Sequence, residues 1–380
     1  MRYLVMVTQA DIQKVLEGYD MSKLRIGSLG GHSALDVCRG AKSEGFETVV
    51  VAQKDRAQTY SKHYKTRGDK GCVDHVILVD NFGDIVKPEI QEQLRQLNTI
   101  FVHSRYFWVY CDYSEVENNF LVPILGNRQL VRKEERSEDK NQYYLLEQAG
   151  IKLPKQFKSP EEIDRLVIVK AAEAARSYER AFFLAGSYAE YKTASQKLVD
   201  DGVITETSLQ GAVIEEFVVG PQINFNYFYS PLDGEVEFMG TDTRRQTNID
   251  GLLRLTAPEQ IEVLKHVRPQ YIENGHQAVT IKESLLEKAF TVGEAFVQAV
   301  KQHYPPGMIG PFALQGAITA GPPTEELVVF DVSMRIPGSP GTMFTPYSGY
   351  LHGQNLSYGQ RIAKEIKSAV AYGKLATLLT

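Results

Sequence analysis

The stretch Leu327-Val328-Val329-Phe330-Asp331-Val332-Ser333-Met334-Arg335-Ile336 carries the residue types best suited to chemistry in this 380-residue chain. Asp331, Ser333 and Arg335 recur at every second position, and a β-strand places residues i, i+2 and i+4 on one face. An acid, a hydroxyl and a guanidinium in a row are groups that hold a cation and stabilise a transferring phosphoryl group. The same pattern also fits a polar face that is merely solvated. On the other face Phe330, Val332, Met334 and Ile336 suit a core, and Gly321-Pro322-Pro323 and Pro337-Gly338 bound the run as a strand.

Other elements must position these groups. Pro311 to Ile318 reads as a second strand, turned back near Gly321 to Glu326, which sets Gln315 opposite the Asp331 region. Near the start of the chain, a helical lead (Thr8 to Tyr19) precedes a strand at Leu24–Leu29. The turn Gly30-Gly31-His32-Ser33 follows, then a helix with the apolar stripe Ala34, Val37, Cys38 and Ala41, then a strand at Thr48–Ala52. This is a βαβ unit with a glycine turn at the helix start, where backbone N–H groups and the helix dipole favour an anion. His32 and Ser33 add side-chain donors, although His32 as a simple helix cap is the alternative. The turn is not GxGxxG, so a dinucleotide fingerprint has little support. Strands at Val76–Val79 and Ile100–Val102 continue the unit, with a helix from Glu89 to Leu97 between them. His103-Ser104-Arg105 then stand just past a strand end, where open α/β sheets bind ligands; a solvated loop is the alternative.

The centre of the chain changes style. Leu166–Lys170 is a strand ending in lysine, followed by a loop with Arg176, Glu179 and Arg180. Val213–Gly220 is a strand carrying Glu215 and Glu216; Ile223–Tyr229 alternates, and Gly234–Met239 is a further strand. Asp242 to Gly251 reads as a polar loop. Its adjacent Arg244 and Arg245 can fork to phosphate or carboxylate, or form ion pairs on a surface hairpin. The charge run Arg128–Asn141 reads as a solvated face, and the composition break after Gly126 as a domain boundary. Helices are expected at Tyr143–Ala149, Glu283–His303 and Ser357–Leu379.

Hydrophobic residues at 43% and charged residues at 23% are ordinary for a globular chain, and a net charge of −5 gives no reason to expect wrapping by nucleic acid or anionic lipid. Cys38, Cys72 and Cys111 are too few and too far apart for a disulfide framework or a paired zinc motif. No run approaches the ~18–20 apolar residues that cross a bilayer. A cytoplasmic protein without nucleic-acid or membrane partners is expected.

In this order the parts resemble an ATP-grasp ligase and, more closely, the archaeal formate-dependent FAICAR synthetase family of purine (IMP) biosynthesis. The resemblance covers nearly the whole chain. It is carried by Gly31-His32-Ser33-Ala34-Leu35, Gly126-Asn127-Arg128, Ile168-Val169-Lys170, Glu215-Glu216-Phe217, Asn226-Tyr227-Phe228-Tyr229-Ser230-Pro231, Asn248-Ile249-Asp250-Gly251, Ile309-Gly310-Pro311-Phe312 and Val332-Ser333-Met334-Arg335-Ile336. The fold it implies is mixed α/β and α+β, an ATP-grasp fold behind an N-terminal parallel βαβ domain. The division implied is residues 1–126 on the nucleotide-substrate side, 127–222 as the small subdomain and 223–380 as the large subdomain with the metal site.

The activity the resemblance implies is ATP- and formate-dependent formylation of the aminoimidazole carboxamide ribonucleotide AICAR to FAICAR through formyl phosphate. By that resemblance Lys170, Arg180, Glu215, Glu216, Phe217 and Val218 would bind ATP. Gln315 and Asp331 would hold Mg²⁺, or Mn²⁺ in its place, with Ser333 where many relatives have a third, amide ligand. Arg335 would be catalytic. His32, Ser33, Ser104, Arg244, Asn248 and Thr342 would bind substrate, and Tyr347 would stand beside the pocket. A homo-oligomer is expected. Two departures stand out: the loop after Lys170 has no glycine between Ala174 and Ala181, and Asp331 replaces the usual glutamate while Gln315 is neutral. An ATP-grasp ligase for another carboxylate and amine, or a non-catalytic nucleotide-binding paralogue, are the alternatives.

Overall fold

The β-branched stretches near the start of the chain form a parallel five-stranded sheet. Its strands β1 (Arg25–Leu29), β2 (Glu47–Gln53), β3 (His75–Val79), β4 (Thr99–Val102) and β5 (Ile124–Leu125) stand in the order β3-β2-β1-β4-β5. Val49, Val50 and Val51 are all buried, as a parallel strand covered on both faces requires. The helix Ala34–Ser43 buries the stripe Ala34, Val37, Cys38 and Ala41. We describe a computed structural model covering residues 6–171, 182–267, 269, 272–321 and 323–380.

A second, antiparallel sheet contains β6 (Gln156–Phe157), β7 (Val167–Lys170), β8 (Phe182–Ala185) and β9 (Val213–Glu216), in the order β6-β9-β7-β8. The strand expected to reach Gly220 leaves the ladder after Glu216. At Gly220 the chain passes so close to the Ile318 carbonyl that a Cβ would not fit.

The third sheet is antiparallel, with β10 (Gln222–Ser230), β11 (Glu235–Gln246), β12 (Glu273–Val279), β13 (Gly310–Thr319) and β14 (Glu326–Ser333) in the order β12-β11-β10-β13-β14. One face of it packs Phe225, Tyr227, Phe312 and Leu314 against Phe296 and Val300 of the helix Leu286–His303. Tyr227 and Phe312 stack with ring centroids 4.9 Å apart.

Three expectations need correction. The polar loop at Asp242–Gly251 is instead the end of β11, up to Gln246, followed by the short helix Thr247–Leu252. It is held in the sheet by β12, a strand whose sequence shows no apolar alternation. The charge run is not simply solvated: Arg128 is buried and donates to the carbonyls of Val116, Phe120 and Thr380 at 3.1, 3.0 and 2.6 Å. The third difference concerns the closing helix expected over 357–379: it runs only from Tyr358 to Ala371, with a separate 3₁₀ turn at Leu375–Leu378, and it packs across the helix Ala34–Ser43. There Gly40 and Gly359 let the two backbones meet. Among the described residues no helix is long and apolar enough to cross a membrane.

Candidate functional site

Two cavities meet at one wall. The first, of about 330 Å³, lies between the parallel sheet and the third sheet; the second lies between the second and third sheets. Arg136, Arg244 and Asp331 line both.

His32 enters the first cavity from the turn after β1. The turn is tight: Gly31 has φ +157° and His32 φ +48°, and a Cβ at Gly31 would strike the Tyr106 ring. His32 Nδ1 lies 3.1 Å from Ser33 Oγ, and Ser33 Oγ donates to the Pro337 carbonyl at 2.8 Å. The Ser33 hydroxyl thus ties the parallel domain to the loop after β14. Burial, aided by the charge of Arg335, pushes His32 down to about 3, so the imidazole is neutral.

From the third sheet, β13 and β14 set Gln315 opposite Asp331. The register slips beside this pair, leaving Phe330 as an extra residue. Phe330 therefore leaves the face of Val332, Met334 and Ile336, which are buried, and turns to the second cavity. This corrects the expectation of a core position for Phe330. Gln315 Nε2 donates to Ser333 Oγ at 3.0 Å, while Gln315 Oε1 accepts from Arg244 Nη2. The Ser333 hydroxyl is thus engaged with Gln315. Arg335 is buried, with Nη2 3.5 Å from Glu134 Oε2; Glu134 also accepts from the Met334 N–H at 2.5 Å. Arg136 Nη2 lies 3.8 Å from Asp331 Oδ1. Burial opposes the charge of Arg136, but Asp331, Tyr143 and Glu215 together outweigh it and raise its pKa. The Nε atoms of Arg136, Arg244 and Arg335 are buried and have no hydrogen-bond partner among the described residues. Arg136, Arg244 and Arg335 all line the first cavity, and three guanidinium groups together suit it to an anionic ligand.

The second cavity is built on Lys170, at the end of β7. Its ammonium is buried, pairs with Glu215, and sits 3.5 Å from the Phe330 carbonyl and 5.5 Å from the Phe330 ring centroid. Burial lowers the Lys170 pKa, and Glu215 works against that. Tyr143 Oη donates to Glu215 at 3.0 Å. Glu216, Phe217 and Val218 complete one side of the cavity.

Several expected site residues stand apart. Ser104 is buried outside both linings, its Oγ without a partner among the described residues. Thr342 is buried and spends its hydroxyl on the Ser339 carbonyl at 3.0 Å. Asn248 sits on the helix Thr247–Leu252 and lines neither cavity. Arg180, with Arg176, lies outside the described residues.

Sequence reasoning missed others. Arg136 and Glu134 were read as part of a solvated run. Asp242 is fully buried and accepts from Asn224 Nδ2 at 2.8 Å, Asn226 Nδ2 at 2.6 Å, Ser339 Oγ at 2.9 Å and His276 Nδ1. The signal was present on β10, where Asn224 and Asn226 share a face between core aromatics. Burial disfavours the charge on His276, but Asp242 and Glu273 outweigh it and lift the imidazole to about 9.

β13 and β14 set one amide, Gln315, opposite one carboxylate, Asp331, in the first cavity, the amide Oε1 accepting from Arg244 and the carboxylate lying beside Arg136. Among the described residues no three His, Cys, Asp or Glu side chains gather as metal ligands. This pair fits a hard divalent cation that draws its remaining oxygens from phosphates and water.

Comparison with known proteins bears on family and fold. Residues 26–157 match the family described as "Protein of unknown function (DUF1246)", and residues 190–380 match "Domain of unknown function (DUF1297)". The chain is 42% identical over 367 residues, 96% of its length and 97% of the relative's, to a protein of Methanocaldococcus jannaschii. That relative is named 5-formaminoimidazole-4-carboxamide-1-(beta)-D-ribofuranosyl 5'-monophosphate synthetase. A protein of the same name from Methanothermobacter thermautotrophicus is 38% identical over 376 residues, covering 98% of this chain and 99% of that one. Among solved structures, an IMP biosynthesis protein PurP from Thermococcus kodakaraensis superposes with TM-score 0.70 at 25% identity, over 93% of this chain and 100% of that chain. The ADP complex of purK, an N5-carboxyaminoimidazole ribonucleotide synthetase, shares the fold alone: TM-score 0.58 at 13% identity, over 88% of this chain and 78% of that chain.

Proposed function

The chain belongs to the 5-formaminoimidazole-4-carboxamide ribonucleotide synthetase family and has an ATP-grasp fold, and from that premise we propose that it formylates AICAR to FAICAR with ATP and formate. The observation that carries this reading is the shared wall. Arg136, Arg244 and Asp331 face at once the cavity of Lys170 and the cavity of His32. A phosphoryl group delivered from one side is met by an acceptor from the other.

On this reading the nucleotide lies in the second cavity, its base along Phe217 and Val218 and its phosphates toward Lys170 and the wall. A formate oxygen attacks the terminal phosphorus and ADP leaves. The amine of AICAR then attacks the formyl carbon, loses a proton, and phosphate departs with the former formate oxygen. Formate alone is a poor acyl donor because its oxygen leaves badly; as phosphate that oxygen leaves readily. The work of the protein is positioning and charge. Arg335, buried and fixed by Glu134, faces the phosphoryl group with an unmet Nε–H. His32 stays neutral and holds the ribonucleotide by hydrogen bonds without adding charge. Asp331 and Gln315 would hold a divalent cation, Mg²⁺ or Mn²⁺, which when bound supplies neutralising charge at the phosphates.

The test is ADP release with ATP, Mg²⁺, formate and AICAR, omitting each in turn. ADP and a formylated product only when all are present is the expected result; ADP with another acid but not with formate would overturn the substrate assignment.

A further inference from the structure

The first cavity contains a pair of cations that share one carboxylate of the protein itself. Glu273 Oε2 lies 3.0 Å from Arg244 Nε, and Glu273 Oε1 lies 2.7 Å from His276 Nε2. The Arg244 contact is an ion pair whose Nε–H is not aligned as a hydrogen bond to any of the described residues.

The two acids that flank His276 differ in kind. Asp242 is 0% exposed and gripped by Asn224, Asn226 and Ser339, so it is a fixed counterion that holds the imidazole in place. The Glu273 side chain is 33% exposed and opens β12, the edge strand of its sheet. Only an irregularity in the ladder brings it there. Arg244 pairs with His276 and Arg245 with Gly275, but Gln246 pairs with Glu273, so Asn274 is the extra residue. Without that bulge, residues three apart on a strand point to opposite faces. With it, Glu273 is turned onto the face of His276 and Arg244. Gly275, at φ +155°, lets the chain bend at this point.

We propose that Arg244 and His276 form a subsite for a substrate oxyanion, a phosphate monoester or a carboxylate, and that Glu273 is a displaceable internal anion occupying it before substrate arrives. The proposal rests on the formylation reading only for which substrate brings the oxyanion; the subsite itself is defined by the two cations. An incoming phosphate offers oxygens to His276 Nε2 and to the unmet Arg244 Nε–H together, which Glu273 does not. Glu273, a third exposed, then swings toward solvent from the start of its edge strand.

Calorimetry on the full-length protein with Glu273→Gln tests this, since glutamine keeps the length and removes the competing charge. The probes are inorganic phosphate, formate, AICAR and its riboside, which lacks the phosphate. The expected result is binding of inorganic phosphate and of AICAR tightened about tenfold, ~1.4 kcal/mol, with the riboside unchanged. Tightening of formate instead supports the same subsite and assigns it to the carboxylate. Phosphate, formate and AICAR all bound unchanged or more weakly, in a variant that melts like the parent, would overturn the proposal and leave Glu273 as a structural brace. His276→Gln supplies the second arm: it should weaken AICAR but not the riboside, and equal weakening of both would overturn it. Inorganic phosphate reads the subsite even if the chain formylates nothing, so a failed subsite and a failed functional reading are told apart.

Discussion

The carboxylate of Asp331 lies 3.8 Å from the guanidinium of Arg136, at the wall where the two cavities meet. Asp331 is therefore balanced by a protein cation, and a divalent ion would compete with that cation for it. Asp331→Asn should remove the anionic half of the donor pair. We expect the Mg²⁺ concentration giving half-maximal rate to rise and turnover to fall by roughly 100-fold, a loss on the scale of removing one charged stabilising group. An unchanged Mg²⁺ titration would show that Asp331 does not hold the cation.

Arg335 should act on the transition state. It lines the first cavity, its guanidinium paired with Glu134 at 3.5 Å. For Arg335→Ala we expect kcat to fall by about 10²–10³-fold with KM for ATP changed by less than about threefold. Weaker ATP binding with kcat unaffected would refute the assignment.

Lys170 and Glu215 form a buried ion pair, so removing one partner strands the other. Glu215→Ala should destabilise the fold by about 3–5 kcal/mol, read by chemical denaturation. Adding Lys170→Met in the same chain should recover part of that loss. Additive losses in the double variant would mean that the pair is not coupled.

Stability should depend on pH through the buried histidines. Burial pushes both His32 and His103 from 6.5 to about 3. Between those values the unfolded chain binds protons that the folded chain refuses, so their contribution is complete above pH 6.5 and is lost as pH falls toward 3. His276 runs the other way: raised to about 9, it contributes fully below 6.5 and loses that contribution as pH rises through 9. His103→Gln should flatten the acid limb of the denaturation midpoint against pH, and His276→Gln the alkaline limb. Parallel profiles for parent and variants would contradict these protonation states.

The pairing of Gln315 with Asp331 was legible because Pro311–Ile318 and Leu327–Ile336 are strand-forming runs between glycine-proline boundaries, joined by a turn short enough to set one against the other. The Lys170 and Glu215 strands were legible for the same reason. Two things were not. A bulge leaves no mark in composition, so neither the turning of Phe330 to the second cavity nor that of Glu273 toward His276 was readable from spacing. Charge alone does not report burial either: Arg128, Glu134 and Arg136 look like a wet run, and only three-dimensional neighbours supply the carbonyls and opposite charges that let them sit inside. Glu273-Asn274-Gly275-His276 has neither β-branched residues nor alternation, and it is a strand because β11 offers it a ladder.

The central claim is that formate is phosphorylated before the amine attacks it, and the path of oxygen tests this most directly. Formate labelled with heavy oxygen is turned over with ATP, Mg²⁺ and AICAR, and the inorganic phosphate released is weighed by mass spectrometry. The account predicts one labelled oxygen in each phosphate formed, matched by one FAICAR and one ADP. Unlabelled phosphate alongside labelled FAICAR would contradict it.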